Sequence, residues 1–80
     1  MEMFGCEKGS SKLINLDEVS LQASPPILRK VAEFILTCAD EMERSEKWEH
    51  RHFSDFLREG SMKKEIEGLD LIVAGEMLGK

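Results

Sequence analysis

The chain has no tyrosine, one tryptophan, two cysteines and two prolines that sit side by side. It also has no excess of positive charge and no long apolar run. Each shortage excludes something. Two cysteines, Cys6 and Cys38, cannot form the disulfide framework that staples small secreted domains. The thiols are therefore expected to be reduced and to serve as small core hydrophobes. No stretch approaches the ~20 apolar residues needed to cross a bilayer. The opening Met1-Glu2-Met3-Phe4 lacks the basic and apolar regions of a secretory leader, so a cytoplasmic location is expected. A duplex-binding protein needs a cationic stripe to displace counterions. Here 11 basic residues are scattered among 16 acidic ones, the net charge is −5 and the pI is about 5.0, which disfavours nucleic acid as a partner.

What is present describes one small domain over residues 1–80. The chain is 41% hydrophobic and 34% charged, a globular rather than a disordered balance. Eighty residues lie near the lower limit for burying a core without staples. Self-association would relieve that shortage, so a homodimer stands beside the monomer as an expectation.

The hydrophobic period changes along the chain. Residues 1–6 alternate weakly, and Gly9-Ser10-Ser11 is a turn signal. Leu13, Ile14, Leu16, Val19, Leu21 and Ala23 then outline a half-buried strand over residues 13–23. Ser24-Pro25-Pro26 ends it and starts a helix. Ser24 is a favourable N-cap, and both prolines fit the first turn, where a missing N–H costs nothing. From there the period is 3.6, and the helix is expected to run to about residue 46. Leu28, Val31, Ala32, Ile35, Cys38, Ala39 and Met42 share one face, with Ile27, Phe34 and Leu36 on its flanks. The other side carries Arg29, Lys30, Glu33, Thr37, Asp40, Glu41 and Arg44. Asp40 with Arg44 and Glu43 with Lys47 are spaced as i, i+4 ion pairs. A stripe this wide calls for a sheet beneath it.

The period returns to two over residues 48–53, and residues 69–74 have strong strand composition. Residues 54–68 are polar and ambiguous, with room for a helical turn near Met62. The expected fold is α+β, in the order ββαββ. One long amphipathic helix packs on a three- to four-stranded, mostly antiparallel sheet.

Only His50-Arg51-His52-Phe53-Ser54-Asp55 resembles a site. On a strand, His50 and His52 point the same way, with Cβ atoms roughly 6–7 Å apart. With Asp55 or Glu49 they could hold zinc or another borderline metal. A closed site needs four ligands, however, and ordinary hydrogen bonding accounts for both histidines. There is no nucleophile elbow, phosphate-cradling glycine loop or His-Glu-x-x-His. No cofactor and no catalytic residue are expected. Trp48, His50, His52, Phe53 and Phe56 form instead a candidate partner-binding surface, since Trp is enriched at interfaces.

The series Val19-x-Leu21-x-Ala23-Ser24-Pro25-x-x-Leu28-Arg29-x-x-Ala32-x-Phe34, then Ala39-Asp40-x-Met42-Glu43, then His50-x-His52-Phe53-x-Asp55, resembles the immunity protein 32 family. The resemblance covers about half the chain and consists largely of structural residues. It implies a strand entering a Ser-Pro-capped helix, followed by a His-x-His strand. That family is associated with bacterial polymorphic-toxin loci, which implies a cytoplasmic protein that binds and neutralises a toxin. Beside this non-catalytic binding module stand two other readings. One is a small metal-binding protein or enzyme using His50, His52 and Asp55. The other is a self-associating structural domain without a ligand.

Overall fold

The longest described element is a single helix, with two short strands before it and two short strands and two short helices after it. The computed structural model describes residues 1–58 and 61–75. Helix α1 spans Pro25–Arg44, with both prolines in its first turn. Ser24 is extended, and its carbonyl accepts the first helical bond from the Leu28 amide at 2.9 Å. Its hydroxyl does not cap the helix as expected. It donates instead to Glu65 Oε1 at 3.1 Å, tying the helix start to a later segment. Prolines supply no N–H at the first two positions, so the hydroxyl has less to cap. The helix ends slightly before residue 46, with Arg44 in its last turn, where a cation suits the dipole. Ser45 then turns the chain: its Oγ accepts from the Lys47 amide and its carbonyl from the Trp48 amide. Neither expected i, i+4 ion pair forms within 4 Å. On this helix Lys30 pairs with Glu33.

The buried stripe is rotated from the one the apolar count suggests. Ile27, Phe34 and Cys38 are buried, flanked by Val31 and Met42, while Leu28, Ala32, Ile35, Leu36 and Ala39 are exposed. The difference is on the order of 60° around the axis, from a step of ~100° per residue. Three phenylalanines decide it. Phe34 meets Phe53 and Phe56 at ring-centroid distances of 5.4 and 5.3 Å, and tilted aromatic pairs add to plain burial. Cys38 lies in this cluster as expected, but Cys6 is exposed and belongs to no core.

The class is α+β, and the strands and main helix follow in the expected order. The four described strands do not merge into one sheet. Strand β1 (Met3–Gly5) pairs antiparallel with β2 (Ile14–Leu16), with Phe4 opposite Asn15. Gly9, at φ +83°, turns the chain between them. Strand β3 (His50–His52) pairs antiparallel with β4 (Ile72–Ala74), with Arg51 opposite Val73. These are two separate two-stranded sheets. The strand expected over residues 13–23 stops at Leu16, since β1 offers a ladder only three residues long. Residues 17–23 keep their alternation but have no pairing strand among the described residues.

Residues 54–68, ambiguous in sequence, contain two short helices. Helix α2 spans Phe53–Leu57 and α3 spans Ser61–Ile66, the latter close to the expected turn. Phe53, Phe56 and Leu57 are spaced i, i+3, i+4, so α2 turns all three toward the core.

Candidate functional site

Of the residues singled out in sequence, His50 and His52 lie on β3, Trp48 precedes it, and Phe53, Asp55 and Phe56 lie on α2. The structure gives them unequal roles. Phe53 is 3% exposed and Phe56 is half-buried beside it, so both serve the core first. Neither presents a free aromatic face of the kind an interface anchor needs. Trp48 is half-buried at the exit of α1, and its indole Nε1 donates to Glu41 Oε1 at 2.9 Å. The other oxygen of Glu41 accepts from Arg51 at 2.8 Å. Arg51 also lies 5.9 Å from the centroid of the Phe56 ring. Glu41, placed by sequence on the solvated side of the helix, thus anchors both Trp48 and Arg51. The rotation of the helix brings it there.

His50 and His52 do lie side by side, as alternation on a strand requires. Their ring centroids are 5.3 Å apart, edge to face. Asp55 does not complete a metal group with them. Among the described residues, no three of the His, Cys, Asp and Glu side chains stand together in a way that could hold a metal ion. The carboxylate that does reach His52 is Asp70, whose Oδ2 lies 2.7 Å from Nδ1.

Asp70 also accepts, through Oδ1, the backbone N–H groups of Ser54 and Leu71, both at 2.9 Å. Ser54 is in the first turn of α2, where amide donors have no partner inside the helix. His52 occupies the N-cap position of α2 and makes no side-chain cap. Asp70 therefore supplies, from the segment just before β4, the capping oxygen that the local sequence lacks. Burial would raise the pKa of Asp70. The Ser54 amide, the His52 ring, the Leu71 amide and the Ser54 side chain together outweigh it, holding the carboxyl below its ordinary value.

An ionised carboxylate can only accept, so Nδ1 of His52 carries the proton shared with Asp70. In the neutral ring Nε2 is then left as an acceptor. The pair resembles a base and its orienting carboxylate, but both groups are about one-third exposed. The carboxylate is already engaged by two backbone amides and the ring. The arrangement ties His52 of β3 to the segment before β4.

The family model of immunity protein 32 matches residues 18–74. The chain belongs to that family. The match starts in the segment before α1 and runs through β4, well beyond the His-x-His strand. No curated protein and no solved structure matches the chain.

Proposed function

We propose that this member of the immunity protein 32 family is a non-catalytic, cytoplasmic bacterial protein that binds a toxin domain and neutralises it. Family membership is the observation that carries this reading. The geometry around β3 supports it. Asp70 is engaged by two backbone amides and by the His52 ring, which holds that ring in a fixed orientation. A rigid face with outward polar groups suits recognition, where ordering costs are met in advance. The contact surface is the outer side of β3, formed by Trp48, His50 and His52, with Phe53 and Phe56 supporting it from the core. The net charge of −5 favours a toxin surface rich in lysine and arginine.

Co-expression with toxin domains of bacterial polymorphic-toxin loci tests the reading. Growth should be restored, and the two proteins should co-purify as a stable complex. His50→Lys should weaken that complex about tenfold or more, since it sets a cation on a face that meets a cationic partner. Failure of the wild-type chain to bind or protect would overturn the reading, and so would turnover of a substrate by the isolated chain.

A further inference from the structure

His50 and His52 stand on one face of β3 with ring centroids 5.3 Å apart. That spacing has a chemical meaning. Two imidazole nitrogens on one zinc ion, each at ~2.0–2.1 Å and with a roughly tetrahedral angle between them, set their ring centroids about 5.2 Å apart. Alternation along the strand delivers this separation before any ion arrives. The rings meet at 68°, and χ2 of histidine is a broad torsion. His50 is exposed, so it can turn a nitrogen toward a shared point at little cost.

The bond behind His52 is an independent observation that points the same way. Asp70 Oδ2 accepts from Nδ1 at 2.7 Å, which fixes the tautomer and leaves a lone pair on Nε2. Metal-bound histidines almost always give their other ring N–H to a carboxylate, a carbonyl or water, and that partner orients the ring and raises its basicity. Asp70 is held in turn by the Ser54 and Leu71 amides, so the orienting group is itself fixed. The surroundings leave the pair open to a cation. Across the ladder, His52 faces Ile72 and His50 faces the small Ala74, and neither carries a positive charge. Arg51, between the two histidines, is turned to Glu41.

We propose that His50 and His52 form a two-ligand surface site for a borderline divalent transition metal, zinc above all, with Asp70 as the positioning residue behind His52. Imidazole nitrogen suits zinc, copper and nickel, whereas magnesium and calcium prefer oxygen. Among the described residues no third histidine, cysteine or carboxylate joins the pair. The remaining positions on the ion therefore belong to water, which separates this site from a closed structural one. The inference stands on the geometry of β3 and does not rest on the toxin-binding reading.

Calorimetric titration of the full chain, free of any affinity tag, with zinc chloride should show one equivalent bound, and magnesium chloride should show none. In proton–nitrogen correlation spectra of the imidazoles, zinc should shift Nε2 of His52 and one ring nitrogen of His50, with Nδ1 of His52 still protonated. His50→Ala, at an exposed position outside the core, should weaken zinc about tenfold or more, since one of two ligands is gone. Its melting temperature without metal should match that of the wild type. Asp70→Asn should weaken zinc about 10–100-fold, and in the metal-free chain it should move part of the His52 ring proton to Nε2. Cys6 is an exposed thiol, and Cys6→Ser should leave the affinity unchanged. Less than one equivalent on the wild-type chain would overturn the proposal. So would unchanged affinity in His50→Ala, or loss of binding in Cys6→Ser, which would put the ion on the thiol. Unchanged affinity in Asp70→Asn would overturn the positioning role of Asp70.

Discussion

Asp70 lies eighteen residues from His52, yet its Oδ2 sits 2.7 Å from the imidazole Nδ1 while its Oδ1 holds the first turn of α2. One side chain therefore joins the strand pair β3–β4 to the helix that carries Phe53 and Phe56. Removing it leaves the Ser54 and Leu71 amides and a ring nitrogen without their acceptor. Asp70→Ala should cost about 1–3 kcal/mol, the range for orphaned donors, with the lower part favoured by partial exposure. Urea denaturation should show an earlier midpoint with an unchanged slope.

The same carboxyl predicts an acid limb. Its folded pKa lies below the ordinary value of 3.8, so the folded state binds the proton less readily than the unfolded state. Its contribution to stability is fully present above the ordinary carboxyl range. It is lost as pH falls through the lowered folded value. Asp70→Asn should be destabilised at neutral pH and should show a shallower loss of stability below about pH 4. Equal acid limbs in both proteins would show that Asp70 does not set the dependence.

Glu41 links α1 to β3 through Trp48 and Arg51. Glu41→Ala should cost on the order of 1–2 kcal/mol, because both bonds involve a charged partner but remain partly solvated. Trp48 is the only tryptophan, so its emission reports this contact alone. A red shift in the folded variant is expected, as the indole loses its acceptor and gains water. Glu41→Gln keeps an acceptor for the indole and should shift less.

These contacts mark the boundary of what periodicity can reveal. The Ser24-Pro25-Pro26 start and the 3.6 period located α1 to within two residues, since capping chemistry and spacing are local. The N-terminal hairpin and β4 were legible for similar reasons. Which side of α1 is buried was not. Leu28, Ile35 and Leu36 are as apolar as the residues that are buried, and only the partners of Phe34 settle the rotation. Helix α2 had a signal in Phe53, Phe56 and Leu57, but the alternation of Trp48, His50 and His52 ran into it and masked the change of period. Asp70 had none. Within residues 69–74 it reads as the polar member of a strand, whereas its role is to cap a helix whose first turn, at Ser54, lies sixteen residues earlier.

Phe34 is fully buried and touches both other phenylalanines of the core. Phe34→Ala should cost about 3–5 kcal/mol, comparable to the whole stability of so small a domain. Circular dichroism should show loss of cooperative melting. Leu36, two positions on, points away at 67% exposure, and Leu36→Ala should change stability by less than about 0.5 kcal/mol. Reversal of these two effects would place the core on the face that simple apolar spacing favours.

The two thiols should separate cleanly by reactivity. Cys38 is fully buried, and that burial raises its pKa, with Arg51 lowering it and Glu41 raising it further as smaller effects. The thiolate is the reacting species, so a buried thiol with a raised pKa is doubly protected. Cys6 is exposed. At low chain concentration a thiol reagent should modify one equivalent rapidly in the native state and a second only on unfolding. The rate of the slow phase should therefore follow urea in parallel with global unfolding, and Phe34→Ala should accelerate it. Fast modification of both thiols in the native wild-type chain would mean that α1 opens locally around Cys38, contradicting its place against Phe34 and Phe53.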